Sequence, residues 1–391
     1  MPRRCAPVTG FFTAPRIATG PGAIEQLSAL GAQRAVIIVD PLLHRGDRHR
    51  RLVEELAKTE TSVEVLAGDP GEPTIASVEA LAARLRAFHP EWIVALGGGR
   101  TIDAAKGAWV RYACPESPLD TITPLVELQL RSSAGFVAVP TTSGSGCEAS
   151  WNAMVRGDGG RPVELASREL VPDWALLDPS LPASMPPGLT AETGAELVAH
   201  AFEAAISEWS NPLSDAFARD AILSAFTELP KAVKHPDDLE ARSALHHAAT
   251  MAGIAASNSQ FGAAHALAVA LTVEDGPPYG RIIGTLLPYV AEFNYPSARD
   301  KYSALGGVFG ASAVRDRSGV AERLRLLWSQ VGIPRTLADA GVSEPGDREA
   351  LAAVVQRARA STSSVANPRV PSETEFAELL GAAYRGSPVT F

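Results

Sequence analysis

A carboxylate and two imidazoles stand on apolar segments in the second half of the chain. Glu196 and His200 lie four residues apart in TAETGAELVAHAFEAAIS, which spans 190–207. In a helix this spacing puts them on one face, about one turn apart. His265 lies in a second apolar segment, FGAAHALAVALT. Helices that are apolar on nearly every side are buried, and a buried carboxylate or imidazole needs a partner.

These three side chains leave two interpretations open. A carboxylate with two imidazoles can bind a divalent cation such as Zn²⁺ or Fe²⁺, or it can take part in acid–base chemistry. A histidine on an apolar face can equally be a core residue whose polar atoms are satisfied by its neighbours. The three residues alone do not decide between a functional site and a polar network in the core.

Two glycine-rich segments in the first half of the chain have the chemistry of phosphate-binding turns. ALGGGRTIDAAK carries Gly97, Gly98 and Gly99 between an apolar run and a helix pattern. Glycines let the backbone turn sharply and approach a ligand, and a helix N-terminus favours an anion. The second segment, VPTTSGSGCEAS, follows another apolar run. Its hydroxyl groups belong to Thr141, Thr142, Ser143 and Ser145.

The two turns predict two walls of one nucleotide site, because ligands bind beyond the carboxyl ends of parallel strands. Neither is a P-loop, and neither matches GxGxxG. Asp40 ends an earlier apolar run, AVIIVD. It can accept hydrogen bonds from a ribose 2′-hydroxyl and repel a 2′-phosphate, which favours NAD over NADP. It can also serve as the N-cap of the following helix, and both roles stay open.

The elements that must position these residues differ between the two halves. Short apolar runs at 35–40, 62–67, 92–96 and 136–140 predict buried parallel strands that alternate with helices. From about Pro186 onward, long Ala- and Leu-rich segments predict helices only. We therefore predict an α/β + all-α fold. It consists of an N-terminal parallel-sheet dinucleotide-binding domain, residues 1–185, and a C-terminal all-helical substrate and metal domain, residues 186–391, with the site in the cleft between them.

Composition limits the function further. The 391 residues are 46 % hydrophobic and 20 % charged, which is typical of a globular protein. A net charge of −9 argues against a nucleic-acid surface, and we find no stretch apolar enough to span a membrane. The three cysteines, Cys5, Cys114 and Cys147, are dispersed. That spacing favours a reducing cytoplasm over a disulfide framework or a structural zinc site.

Six motifs, in order, resemble the iron-containing (group III, metal-dependent) alcohol dehydrogenase family. They are GGGRTIDAAK, PTTSGSGCEAS, VPDWALLDP, GAELVAHAFEA, MAGIAASNSQFGAAHALA and PPYGRIIGTLLPYV. The resemblance implies a nucleotide-binding α/β domain, a helical domain, and hydride transfer between NAD(P) and a small alcohol or aldehyde. It also implies that a set of turn and helix residues touches the cofactor. The set is Gly97, Gly98, Asp103, Thr141 and Thr142.

This chain departs from the family at the metal site. Family members usually bind the metal through an Asp and three His. Here those positions are Glu196, His200, His265 and Tyr279. A further pocket histidine of the family is Val269 here. A phenol ligates a metal only as phenolate, and its usual pKa is about 10. We therefore predict a weakened or absent Fe or Zn site. Maleylacetate reductases resemble the family and look like a precedent for activity without an obligatory metal.

Without a metal, the phenol of Tyr279 would polarise the substrate oxygen, aided by His265 or His200. Arg100 stands where the family's glycine triplet usually ends in Ser or Thr, and it would pair with a pyrophosphate or lie exposed at the helix start. Cys147 is interpreted as a packing residue rather than a nucleophile.

The sequence thus predicts an NAD(P)-dependent oxidoreductase acting on a small alcohol, aldehyde, ketone, imine or activated alkene, and working as a homodimer. One alternative is a conventional Fe- or Zn-dependent dehydrogenase that uses all four metal positions. Another is a catalytically silent nucleotide-binding homologue, which the retained polar groups on apolar helices disfavour. A dehydroquinate-synthase-like lyase would need a full metal site and a basic cluster in the cleft, and the sequence indicates neither.

Overall fold

The computed structural model describes residues 12–46, 48–69, 71–273 and 276–391; Cys5 lies outside these ranges. Its centre is a six-stranded parallel sheet with the strand order β1-β8-β5-β4-β2-β3, accompanied by an antiparallel hairpin of β6 and β7. The strands are β1 (Arg16–Thr19), β2 (Arg34–Val39), β3 (Ser62–Ala67), β4 (Trp92–Gly97), β5 (Gly135–Pro140), β6 (Asn152–Arg156), β7 (Pro162–Ala166) and β8 (Trp174–Leu177).

Helices occupy most of the remaining chain. The α-helices are α1 (Pro41–Arg45), α2 (Arg50–Ala57), α3 (Ile75–Phe88), α4 (Gly99–Ala113), α5 (Pro187–Ile206), α6 (Pro212–Lys234), α7 (Leu239–Ser259), α8 (Ala263–Leu271), α9 (Tyr279–Asn294), α10 (Arg299–Ala304), α11 (Gly306–Phe309), α12 (Gly319–Val331), α13 (Arg348–Ala360) and α14 (Glu373–Arg385). Short 3-10 helices include Ala23–Leu30, Leu119–Thr121, Leu130–Ser132, Asp158–Gly160, Arg168–Leu170, Pro182–Ser184, Tyr295–Ser297, Ala313–Arg315 and Thr362–Ser364.

The sheet is buried on both faces, as its apolar strands require. Along β2, Val36 and Ile38 pack into a core with residues of α3 and α4, whereas Ile37 and Val39 pack into a core with the first 3-10 helix and α2. Successive strand residues point to opposite faces, so each apolar run supplies both cores. The four strands predicted from sequence, and the parallel sheet with its helices, are confirmed.

The strands β1 and β8 and the hairpin of β6 and β7 were not predicted from the sequence. β1 and β8 pair with each other and extend the sheet, and β8 ends at Leu177, shortly before the predicted domain boundary at 185/186. Both strands have four residues, too short for a periodicity signal, and they are held by neighbouring strands instead. The β6–β7 hairpin packs beside α4, and its residues form part of one wall of the cavity described below.

The helical part is built around α5, α6, α7 and α9. Its core is rich in alanine, including Ala195, Ala199 and Ala252, which lets helix backbones approach closely. The last strand of the sheet ends at Leu177, and α5 begins at Pro187. The division into domains at 185/186 stays a prediction. In the described residues we find no helix long and apolar enough to cross a bilayer.

Candidate functional site

A cavity of about 820 Å³ separates the carboxyl ends of the sheet strands from the helices α5, α8 and α9. Most of the residues singled out from the sequence line it. They are Asp40, Gly98, Gly99, Arg100, Asp103, Thr141, Thr142, Ser145, Glu196, His200, His265 and Tyr279. Gly97 lies beneath the turn, where an added Cβ would stand 2.5 Å from the Thr101 side chain. The structure thus brings the two halves of the predicted site together.

The first glycine turn presents a helix N-terminus to the cavity. Gly98 is the N-cap of α4, and no side chain in the described residues caps it. The first amides of a helix lack intrahelical acceptors and favour an anion. An added Cβ at Gly98 would lie 3.2 Å from Thr142, and one at Gly99 would lie 2.8 Å from the Ser145 hydroxyl. The two glycine-rich turns therefore touch and leave room for a backbone-bound phosphate group.

The second turn is held against α7. Gly146 has a φ of +63°, and an added Cβ would stand 2.6 Å from the Cα of Gly253. The Ser143 hydroxyl is hydrogen-bonded to His246 Nδ1 at 3.1 Å. These contacts fix the position of the turn relative to the helical part, so both walls of the cavity are kept in register.

Two charged residues at the end of the cavity near the glycine turns also make contacts outside it. Asp40 accepts a hydrogen bond from the Leu42 amide at 2.8 Å, which makes it the N-cap of α1 while it also lines the cavity. Arg100 is half exposed and pairs with Glu72 at 2.7 Å. Both interpretations given for Asp40 are therefore compatible with its position. The carboxylate of Glu72 neutralises the charge of Arg100, so its guanidinium is not an isolated cation.

Asp103 is a buried carboxyl at the floor of the cavity. One oxygen accepts from the Met154 amide at 3.1 Å, and the other has no hydrogen-bond partner among the described residues. Burial raises the pKa of Asp103 to about 6, against the opposing effect of Lys106. Lys106 is fully buried and donates to the carbonyls of Ser150 (2.6 Å) and Asn152 (3.1 Å).

Lys106 was missed in the sequence, although a lysine on an otherwise apolar helix face was a visible signal. Its ammonium ties α4 to the segment that leads into β6. Burial and the nearby Asp103 raise the pKa of the Cys147 thiol well above its usual value. A protonated thiol is a poor nucleophile, which agrees with a packing role for Cys147.

The two imidazoles lie side by side at the helical wall of the cavity. The ring centroids of His200 and His265 are 4.6 Å apart. His200 Nδ1 lies 2.8 Å from the carbonyl oxygen of Glu196, one turn earlier on α5. A carbonyl only accepts, so Nδ1 donates and Nε2 is left as an acceptor. Burial, and then His265, lower the pKa of His200 well below its usual value, so the ring is neutral at pH 7.

Glu196 shares this face of α5 but does not pair with His200 through its side chain. Its carboxyl group faces the cavity. Burial raises its pKa to about 8, and the negative charges of Asp103 and Glu72 add to the effect. The backbone of Glu196, rather than its carboxylate, satisfies the nearby imidazole.

Tyr279 begins α9 and completes the polar cluster. Its ring centroid is 6.3 Å from that of His265. Burial and the neighbouring Glu196 raise the pKa of the phenol well above its usual value, so the hydroxyl keeps its proton at neutral pH. Val269 and Phe261 line the cavity close by and make its surroundings apolar.

We tested whether these residues fit a divalent metal. The described part of the chain contains no group of three or more His, Cys, Asp or Glu side chains arranged to hold one. The imidazoles offer acceptor nitrogens, but at the fourth position, where the family usually has His, the phenol of Tyr279 can ligate only after it loses its proton, and its pKa lies well above its usual value. Metal ligands must be deprotonated. The donor set therefore does not fit a tightly held divalent cation.

The raised pKa of Glu196 predicts a pH-dependent stability. The folded state keeps a proton that the unfolded chain releases above about pH 4.3, so the free energy of unfolding falls as the pH rises toward 8. The slope is at most about 1.4 kcal/mol per pH unit. Urea unfolding between about pH 6.5 and 8 should show a flatter dependence for Glu196→Gln. Glu228→Gln removes a partly buried glutamate of α6 that pairs with Lys231 outside the cavity, and it should keep the wild-type slope. Equal slopes in all three proteins would contradict the assignment.

A parallel sheet with two glycine turns that faces a helical wall of acid–base groups is the arrangement expected of a nucleotide-dependent oxidoreductase. Comparison with known proteins agrees. The family model for iron-containing alcohol dehydrogenase matches residues 14–179, and the model for the C-terminal part of that family matches residues 190–384. The chain belongs to the iron-containing alcohol dehydrogenase family and is an alcohol dehydrogenase-like oxidoreductase.

Individual relatives match over nearly the full length. An NADPH-dependent butanol dehydrogenase from Clostridium saccharobutylicum is 31 % identical over 392 residues, which cover 97 % of this chain and 99 % of the relative. An alcohol dehydrogenase from Thermococcus barophilus is 32 % identical, covering 96 % of this chain and 99 % of the relative. The solved iron-containing alcohol dehydrogenase of Thermococcus thioreducens has a TM-score of 0.86 at 30 % identity, covering 96 % of this chain and all of its own (100 %).

Proposed function

We propose that this chain is an NAD(P)-dependent oxidoreductase that reduces a small carbonyl compound, or oxidises the corresponding alcohol, with Tyr279 as proton donor and without a tightly held metal. The observation that carries the proposal is the position of Tyr279. It lies in the cavity, beside His265, and burial raises the pKa of its phenol, so the hydroxyl keeps its proton at neutral pH and can donate to a substrate oxygen.

The cavity fits a dinucleotide from the glycine turns inward. The backbone at Gly98 and Gly99 would bind the pyrophosphate, and the hydroxyls of Thr141 and Thr142 would bind next to it. Gly97 lies beneath this turn, and because it has no side chain it would let the turn close over Thr101. A nicotinamide cofactor, when bound, supplies or accepts the hydride. Asp103, at the cavity floor with one unpartnered oxygen, would accept from a donor on the cofactor.

The proton that accompanies the hydride is supplied by a residue of this chain. In the reductive direction the phenol of Tyr279 donates to the oxygen of the carbonyl as negative charge develops there. In the oxidative direction the same path runs in reverse, and the phenolate of Tyr279 accepts the hydroxyl proton. The Nε2 atoms of His200 and His265 can accept hydrogen bonds from the phenol and from the substrate hydroxyl, and so orient both groups. This arrangement does what a Lewis acid would otherwise do, namely hold and polarise the substrate oxygen.

The lining of the inner cavity favours a substrate with apolar substituents. Val269, Phe261 and Leu189 line the same cavity as the polar cluster, and the ring of Phe261 packs against both imidazoles. A ketone, an imine or an activated alkene with apolar groups would remove this surface from water, at about 25 cal/mol per Å². The butanol dehydrogenase relative supports an alcohol or aldehyde with an alkyl chain.

The direct test is oxidation of NADH or NADPH by the purified protein in the presence of a panel of aldehydes, ketones, imines and activated alkenes. The panel is assayed before and after treatment with a chelator. We expect turnover of at least one class at a rate that the chelator leaves unchanged. No turnover with any class would favour the catalytically silent homologue, and a rate abolished by the chelator and restored by Fe²⁺ or Zn²⁺ would favour the conventional metal-dependent enzyme.

Asp40 leads to a prediction about the cofactor. We expect NADH to bind more tightly than NADPH, because the carboxylate repels a 2′-phosphate. Asp40→Asn should narrow the difference and keep the helix cap, since Asn is also a good N-cap. Fluorescence titration of both cofactors measures the ratio. Tighter binding of NADPH by the unmodified protein would contradict the assignment.

We also propose the two-domain division at 185/186, a homodimer and a cytoplasmic location. The dispersed cysteines support a reducing compartment. β1 contributes an edge to the sheet at which a second copy can pair, because an edge strand carries unpaired backbone groups.

A further inference from the structure

The wall behind His265 contains a second acid that the reaction described above does not use. Glu203 lies on α5, seven residues after Glu196, and only 1 % of it is exposed. One of its oxygens accepts from the Ala264 amide at 2.7 Å, and the other accepts from the Gly262 amide at 3.0 Å. The second oxygen also accepts a hydrogen bond from the His265 amide at 3.4 Å and contacts His265 Nδ1.

We propose that Glu203 is the positioning residue of the site: it fixes the ring orientation and tautomer of His265 so that Nε2, and not Nδ1, serves as the acceptor in the cavity. The inference rests on the proposed function, because it explains how one member of the polar cluster is prepared for that reaction. It concerns a residue that does not itself line the cavity.

The hydrogen-bond directions determine the tautomer. Every backbone partner of the two Glu203 oxygens is an N–H donor, so the carboxylate acts as an acceptor throughout. An acceptor next to Nδ1 requires that nitrogen to carry the proton. In a neutral ring, Nε2 of His265 is then a bare lone pair. It is buried and has no hydrogen-bond partner among the described residues.

An acceptor that is buried and unpaired costs free energy unless a donor arrives. Tyr279 and the hydroxyl of an alcohol substrate are the donors that the proposed reaction brings into the cavity. Imidazoles used in catalysis or ligation are commonly oriented in this way, by a carboxylate on the other ring nitrogen. The same tautomer is found at His200, where a backbone carbonyl holds Nδ1.

The groups that hold the Glu203 carboxylate in place are themselves buried and hydrogen-bonded to one another. Asn367 accepts from the Ala263 amide at 3.1 Å, so Glu203 and Asn367 together accept from the successive amides that start α8. Asn294 and Asn367 exchange hydrogen bonds through their side-chain amides at 3.1 and 2.7 Å. Gly262 permits this close approach, because an added Cβ would lie 2.6 Å from the Glu203 carboxylate. The carboxylate is therefore held in one place, and His265 with it.

The test combines two variants with a matched control. Glu203→Gln keeps the shape of the side chain. Its amide has one acceptor oxygen where the carboxylate has two. Either the Ala264 amide loses its acceptor, or the Gly262 amide and His265 lose theirs. Gly262→Ala displaces the carboxylate without altering it. Glu292→Gln is the control: Glu292 is a buried acid, bonded to Arg325 and to the Val389 amide, that does not line the cavity.

The readout is ¹⁵N NMR of histidine-labelled protein without substrate, with the His265 signals assigned by their loss in His265→Gln. We expect a protonated Nδ1 and a bare Nε2 in the unmodified protein and in Glu292→Gln, and loss of this single tautomer in Glu203→Gln and Gly262→Ala. Thermal unfolding of each variant identifies a failure to fold. A protonated Nε2 in the unmodified protein, or an unchanged tautomer in both folded variants, Glu203→Gln and Gly262→Ala, would overturn the proposal.

Kinetics then separate this proposal from the proposed function. Glu203→Gln should lower kcat by roughly 10- to 100-fold, with the KM for the cofactor within about twofold. If the unmodified protein turns over no substrate while the NMR result holds, the proposed reaction fails but the positioning role stands. If turnover is normal and the tautomer is unaffected in the variants, the positioning role fails alone.

Discussion

Tyr279→Phe is expected to lower kcat by roughly 100-fold or more while leaving the KM for the cofactor nearly unchanged. The variant removes one hydroxyl and keeps the ring, so the packing against His265 and the cavity wall is retained. What is lost is the proton donor to the substrate oxygen. Steady-state kinetics with the best substrate from the carbonyl panel measures the effect.

Tyr112→Phe is the matched control for this variant. Tyr112 lies in α4, is partly buried, and has a pKa raised by burial, but it does not line the cavity. Its rate should equal that of the unmodified protein. If Tyr279→Phe also kept the full rate, the phenol would not be the acid, and the conventional metal-dependent reaction would become the better account.

The second large effect is a gain of metal binding. Glu196→Asp combined with Tyr279→His would restore the donor set that the family usually has: an Asp and three imidazoles, around His200 and His265 as they stand. We expect the affinity for Zn²⁺ to rise by at least about 100-fold, because a ligand replaces a phenol that keeps its proton, and even supporting residues outside the ligand set change metal affinity 10- to 100-fold. Titration of chelator-treated protein with Zn²⁺ measures this.

The control for the double variant adds an imidazole elsewhere. Tyr112→His introduces the same side chain outside the cavity and should leave the Zn²⁺ affinity unchanged. A tight, stoichiometric site in the unmodified protein would contradict the account, since it would show that Glu196 and Tyr279 can serve as ligands together.

The sequence predicted the parts of the fold that have strong local patterns. The apolar runs at β2, β3, β4 and β5 appeared as strands because they are buried on both faces. β1 and β8 have four residues each, so their pairing depends on contacts between residues far apart in the chain. No local pattern in either segment reveals that partner.

The candidate site was predictable in its membership but not in its hydrogen bonding. The spacing of Glu196 and His200 indicated a shared face, yet the contact runs from the imidazole to a backbone carbonyl. Glu203 stands in the same stretch, three residues after His200, and its only signal was a charge within an apolar helix. Its partners at the start of α8 are about sixty residues further along, so only the folded chain shows what the acid does.

The most direct test of the account is a crystal structure of the protein with bound NADH. We predict the pyrophosphate at the amides of Gly98 and Gly99, and the nicotinamide ring in the cavity, facing the Tyr279 hydroxyl and the Nε2 atom of His265. A nicotinamide bound elsewhere, or imidazoles and carboxyl turned away from a bound ring, would contradict the assignment of this cavity as the site of hydride transfer.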